Sequence, residues 1–153
     1  MAGDTGASYV AKTYINNGSS FVENSTWQQN LLGVELASLS WGDFDNNGLM
    51  DLSLTGHTGS DEHRIYNNTG SFLNQINWQG GTLVGVYETG QAMGDYDNNG
   101  KLDIFVAGKE QYSTLYRNTS STYSQDPEPD IFNVKMGPGT VWCDVNNDST
   151  LDL

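Results

Sequence analysis

Asp43-Phe44-Asp45-Asn46-Asn47-Gly48-Leu49-Met50-Asp51 is one of three copies of a pattern around which the rest of the chain organises. Asp95-Tyr96-Asp97-Asn98-Asn99-Gly100-Lys101-Leu102-Asp103 is the second, and Asp144-Val145-Asn146-Asn147-Asp148-Ser149-Thr150-Leu151-Asp152 is the third. All obey D-x-[DN]-x-[DN]-[GS]-x-x-D. Oxygen-bearing side chains at positions 1, 3, 5 and 9, a sharp turn at 6 and a backbone carbonyl at 7 suit a hard cation that takes about 6 to 8 oxygens. Calcium fits best, because magnesium demands tighter octahedral geometry and zinc would want the His or Cys that these loops lack. The candidate ligands are Asp43, Asp45, Asn47, Leu49 and Asp51; Asp95, Asp97, Asn99, Lys101 and Asp103; and Asp144, Asn146, Asp148, Thr150 and Asp152. Leu49, Lys101 and Thr150 enter through their carbonyls. Ser149 replaces the turn glycine, so the third loop is expected to be the weakest.

A single Asn-Gly segment reads equally well as a hairpin turn. Three copies in register, each with a closing Asp that a plain hairpin does not require, favour ligation. The helix-loop-helix calcium motif closes with Glu at position 12. These loops instead close at position 9 and run into Leu52-Ser53-Leu54, Ile104-Phe105-Val106 and Leu153, which are strand residues.

The loops start at 43, 95 and 144, spacings of 52 and 49 that fall in the range of propeller-blade repeats. Other segments recur in phase. Leu54-Thr-Gly56, Val106-Ala-Gly108 and Met1-Ala-Gly3 align, as do Ile65-Tyr66-Asn-Asn68, Leu115-Tyr116-Arg-Asn118 and Tyr14-Ile15-Asn-Asn17. Phe72, Tyr123 and Phe21 follow, and Trp41-Gly42, Met93-Gly94 and Trp142-Cys143 precede the three loops. Each unit reads as four short strands: two flanking the acidic loop, one ending in Tyr/Ile-x-Asn, one starting at the Phe/Tyr. The expected fold is all-β, with three four-stranded blade equivalents in one domain, residues 1–153. The units run over about 41–92, 93–141, and 142–153 joined with 1–40, so that one blade is split between the two ends.

In these features the chain resembles the FG-GAP/VCBS repeats of integrin alpha-chain-like β-propellers. The resemblance implies a calcium loop in each blade, a role in adhesion or ligand recognition, and an extracellular or cell-surface setting. It also extends to certain calcium-bearing fungal propeller lectins. Propellers close with about 4 to 8 blades. Three blades cannot close alone, so a homodimer forming a six-bladed ring is the expected assembly, with a protein or glycan as ligand. An excised or engineered fragment that assembles by blade complementation is a further reading, because the start aligns with mid-strand.

Composition narrows the alternatives. With 6 Lys+Arg against 19 Asp+Glu and a net charge of -13, the chain lacks the basic surface that nucleic acid or anionic membrane requires. No apolar run approaches the ~18 residues of a membrane span, and residues 1–4 have no signal-peptide character. Four Trp, eight Tyr and five Phe supply apolar surface for a core, and the single cysteine excludes an intrachain disulfide framework. Cys143, in an apolar strand context, is expected to behave as a small hydrophobe.

No catalytic constellation stands out. His57 and His63 flank a Gly-rich connection and offer zinc two ligands without a third, so a solvated loop is expected there. No G-x-S-x-G elbow occurs. Asp pairs one residue apart within a loop suit ligation better than a glycosidase acid pair. Trp27, Trp41, Trp78 and Trp142 read as core between blades or, alternatively, as sugar-stacking platforms. Sequons at Asn17, Asn24, Asn67, Asn118 and Asn147 fit the Asn/Ser/Thr-rich composition and carry no argument.

Overall fold

The computed structural model describes residues 1–76, 83–109, 113–120, 122–126 and 139–153. Trp78 lies outside them. The described chain is all-β apart from one short helix, and its strands form four antiparallel sheets.

Two of these sheets are complete four-stranded meanders. The first runs β5 (Glu35–Gly42), β6 (Asp51–His57), β7 (Asp61–Asn68) and β8 (Leu73–Ile76). The second runs β9 (Gly90–Gly94), β10 (Asp103–Ala107), β11 (Thr114–Asn118) and β12 (Tyr123–Gln125). Each acidic loop joins the first two strands of its sheet. The pairs Gly42↔Asp51 and Gly94↔Asp103 close the ladders at the loop base.

The side-chain period of 2 sorts these strands into two faces. On β10, Ile104 and Val106 face the first sheet, joining Phe44, Ile65, Val86, Tyr116 and Tyr123 in the core between the sheets. Phe105 and Ala107 face the other way, with Leu115, Tyr96 and Trp142. On β6, Leu52 and Leu54 face the N-terminal side with Val34, Tyr66 and Leu73, where Trp27, Leu31 and Leu32 also pack. Each such side chain, fully buried, contributes roughly 1.5–3 kcal/mol.

The N-terminal segment holds four short strands in two two-stranded sheets. β1 (Ala2–Asp4) pairs with β2 (Tyr9–Ala11), and β3 (Tyr14–Asn16) pairs with β4 (Phe21–Glu23). Reciprocal bonds of 2.7 Å between the Met1 and Lys12 backbones extend the first pair. Asn24 then caps α1 (Ser25–Gln28), accepting from the Thr26 and Trp27 amides, and this turn sets Trp27 against the leucine cluster. At the other end, Cys143 and Asp152 form a β-bridge beneath the third loop, and Trp142 stacks on Tyr96 at 6.3 Å.

The structure moves the repeat frame by one residue. Asn16, Asn68 and Asn118 all end their strands opposite Phe21, Leu73 and Tyr123, and each accepts, through its side chain, the amide of the residue two further on. Asn16 is therefore the counterpart of Asn68, and Leu73, rather than Phe72, that of Phe21. Adjacent Asn pairs, Asn16-Asn17 and Asn67-Asn68, make the frame ambiguous in sequence, and the asparagine turn decides it. Cys143 is also exposed, contrary to the expected buried thiol, because nothing in the described structure covers that side of its bridge.

Candidate metal centre

The loop backbone follows from the nonapeptide itself. In the first loop the amides of Asn47 and Gly48 donate to Asp43 Oδ1 and Oδ2 at 3.0 and 2.8 Å, and the Phe44 amide donates to Asp51 Oδ2 at 3.0 Å. In the second, Asn99 and Gly100 donate to Asp95 at 2.8 and 2.7 Å, and Tyr96 donates to Asp103 at 3.1 Å. In the third, Asp148 and Ser149 donate to Asp144 at 3.0 and 2.9 Å, and Val145 donates to Asp152 at 3.0 Å. Position 6 has φ of 87°, 83° and 71° at Gly48, Gly100 and Ser149, so the serine accepts the left-handed turn. Position 4 is left-handed too, and is Asn46, Asn98 and Asn147 in turn. Asparagine tolerates that region better than other side-chain-bearing residues, which gives the recurrent asparagine at this variable position a physical reason.

Tertiary structure then gathers the carboxylates. One oxygen each of Asp43, Asp45 and Asp51 lies within 4.8 Å of the others, and the same holds for Asp95, Asp97 and Asp103. Among the described residues no third group of three acidic, His or Cys side chains comes together this way. Asp144, Asp148 and Asp152 share the loop backbone without that convergence, and the third loop differs from the others in having Asn146 at position 3 and Asp148 at position 5.

The closing aspartates Asp51 and Asp103 are fully buried. Their Oδ1 atoms accept the Asn68 and Asn118 amides, both at 2.7 Å, from the third strand of the sheet. Burial, opposed by these amides and reinforced by the neighbouring aspartates, pushes the Asp103 carboxyl up to about 6 and raises that of Asp51. Two carboxylates 4.8 Å apart repel by about 3 kcal/mol at an effective dielectric of ~20. A cation between them would remove this cost. The donors are all hard oxygens, so the residues present fit calcium: Asp43, Asp45, Asn47 and Asp51 with the Leu49 carbonyl, and Asp95, Asp97, Asn99 and Asp103 with that of Lys101.

Asn68 and Asn118, which in sequence mark strand ends, clamp the loops. The Asn68 side chain donates to the Met50 carbonyl at 2.9 Å, and that of Asn118 donates to the Phe44 carbonyl of the first loop at 2.9 Å. Their recurrence in phase after a tyrosine is the signal that could have exposed them. Tyr66 and Tyr116 also act in parallel, accepting the Leu32 and Val84 amides at 3.0 and 2.8 Å. The residue before each clamp reaches the loop as well: Asn67 donates to Asp45 at 2.6 Å, and Arg117 pairs with Asp97 at 3.1 Å.

The remaining candidates do not converge. His57 pairs with Asp61 at 3.0 Å, whereas His63 is buried in β7 rather than in a solvated loop, 3.0 Å from Ser53 Oγ. Ser53 in turn donates to Gln91 at 2.7 Å, and Thr55 and Thr89 meet at 2.6 Å, a buried polar seam between the two full sheets. Trp27 packs on apolar neighbours, and Trp41 is exposed. Buried Asn118 is committed to its clamp, which removes its sequon from consideration.

No curated protein matches the chain, and no solved structure does. The profile of the FG-GAP-like repeat matches residues 43–106 and again residues 95–153, each match starting at the first aspartate of an acidic loop. The two windows cover more than half of the sequence and carry the period seen in the sheets, and the chain belongs to the FG-GAP-like repeat family.

Proposed function

We propose that the protein is a calcium-binding β-propeller module for adhesion or ligand recognition outside the cell, with no chemistry of its own. The observation that carries this reading is the repetition of an all-oxygen cluster, closed by a buried aspartate, at the base of each four-stranded sheet. The sheets are then blades, and calcium joins the first two strands of each to the third by neutralising the closing aspartate. Family membership supports the propeller and the extracellular setting, and among the described residues no helix is long and apolar enough to cross a membrane. A lectin reading would need an exposed tryptophan beside a polar pocket. Trp27 offers the opposite, since it lines an apolar cavity with Leu31 and Leu52.

Isothermal titration with calcium and thermal melting with and without chelator test the proposal together. At least two sites should titrate. Each should stabilise the folded chain by about 2.7 kcal/mol at a hundredfold excess over Kd. For a domain of this size that is a rise in Tm of about 5–10 °C per site. A Tm indifferent to excess chelator would overturn the calcium reading.

A further inference from the structure

We propose that Arg117 sets the cation affinity of the second acidic centre below that of the first, acting as a resident counter-ion for Asp97 that an incoming ion must displace. This rests on the calcium reading and gives the two centres different strengths. Their nonapeptides are identical at positions 1, 3 to 6 and 9, so the difference comes from the side chains around those ligands. The third strand of each sheet brings one such side chain, the residue before the clamp asparagine. It is Asn67 on β7 and Arg117 on β11.

At the second loop Arg117 is held by three partners. Its Nε lies 3.1 Å from Asp97 Oδ2, its Nη2 donates to Tyr96 Oη at 2.9 Å, and the same nitrogen donates to Asp126 Oδ2 at 3.2 Å. The Tyr96 hydroxyl donates to Asp126 in turn, which fixes two of the acceptors to each other. The first loop has neither the tyrosine nor that acid. Phe44 stands at the loop position of Tyr96, and Ile76 lies opposite Ile65 as Asp126 lies opposite Leu115. Asn67 reaches Asp45 Oδ2 at 2.6 Å with a neutral amide. Position 7 repeats the contrast, since Leu49 is apolar and the Lys101 ammonium donates to Ser120 Oγ beside the second loop.

Among the described residues, no basic side chain is bonded to Asp43, Asp45 or Asp51. A cation approaching Asp97 has two routes instead. It can leave the guanidinium in place and be repelled by it, or drive it into solvent and break its bonds to Asp97, Tyr96 and Asp126. Either route weakens binding by about fivefold, the worth of a well-formed exposed ion pair. Asp126 offsets part of the guanidinium's field, yet it also anchors the group beside Asp97. At the first loop, an amide turning away from Asp45 gives up one neutral hydrogen bond. The two centres therefore fill in order, the first at lower calcium than the second.

The test reads the centres apart in the whole chain, through the amide NMR signals of Gly48 and Gly100, at free calcium levels set by a chelator buffer. Gly48 should reach half-loading at lower calcium than Gly100. Arg117→Asn, which copies the first unit, should raise the affinity read at Gly100 by about fivefold and leave the Gly48 midpoint in place. Asn67→Arg should lower the affinity read at Gly48. Arg117 is exposed, so its replacement keeps the fold, and an unchanged amide pattern outside the second loop verifies this. Salt separates charge from packing: between about 0.05 and about 0.5 M, the ratio of the Arg117→Asn affinity to that of the wild type should shrink toward one. If neither glycine responds to calcium, the calcium reading falls and this proposal with it. If both respond and Arg117→Asn changes the Gly100 midpoint by less than about twofold, or by a ratio indifferent to salt, this proposal alone is overturned.

Discussion

The first and third acidic loops have the same backbone and different surroundings. In both, amides at positions 5 and 6 hold the first aspartate, the amide at position 2 holds the last, and position 4 is a left-handed asparagine. Asp51, however, is sealed beneath β7 by the Asn68 amide, while among the described residues the Asp152 carboxylate accepts from the Val145 amide and from no third strand. The nonapeptide therefore makes its own turn, and the third strand supplies the burial of the closing aspartate. A loop of this kind is a local structure. A centre of this kind is a tertiary one.

The largest test of that distinction removes the clamp. Asn118→Ala deletes the side-chain donor to the Phe44 and Leu102 carbonyls from a fully buried position, and it also strips the asparagine turn to Ser120. A cost of about 3 kcal/mol is expected in denaturant unfolding. Asn16→Ala, at the exposed counterpart, should cost less than about 0.5 kcal/mol in the isolated chain. Equal costs would show that the strand-end asparagine serves only its turn.

The polar seam between the two full sheets gives a second test, with a pH sign of its own. Burial holds His63 neutral, its imidazole lowered to about 4. The unfolded chain binds this proton from about 6.5 downward, so stability should be intact above that pH and fall as pH drops toward 4, by about 2 kcal/mol between pH 6.5 and 5. Metal-free Asp103 acts in the opposite direction, because its raised carboxyl costs stability above about 6 and returns it on acidification. The His63 contribution is therefore the difference between wild type and His63→Gln at the same calcium level. A difference that does not change between pH 6.5 and 5 would mean that the seam admits water and the imidazolium with it.

The acidic loops and the strand order were legible in the sequence because both are written locally: the loops in nine residues, the strands in the segments that recur after them. The burial of His63 was not. It depends on Ser53 and Gln91 arriving from two different sheets, and the glycines of the nearby turn suggested a solvated connection instead. The exposure of Cys143 and Trp41 was hidden for the same reason, since a strand sequence specifies an apolar face without specifying what covers it. The asparagine frame failed differently. Two adjacent asparagines are equivalent to a pattern, and only the hydrogen bond of the turn tells them apart.

The smallest test returns to the loops and asks how far their shared backbone is free of strain. A Cβ added to Gly48 or Gly100 would meet nothing within 4 Å, so space does not demand glycine there; the left-handed φ does. Ser149 adopts the same region at φ 71°, which costs a side-chain-bearing residue roughly 1 kcal/mol. Ser149→Gly relieves that cost and loosens the unfolded chain, and the two effects should leave a net gain of about 0.5 kcal/mol. Gly100→Ser imposes the strain and stiffens the unfolded chain, and the two effects should leave a net loss of about 0.5 kcal/mol. Urea unfolding of both variants in chelator isolates the backbone term from metal affinity. If the two substitutions shift the midpoint in the same direction, position 6 is not governed by φ, and the likeness between the first and third loops does not extend to their energetics.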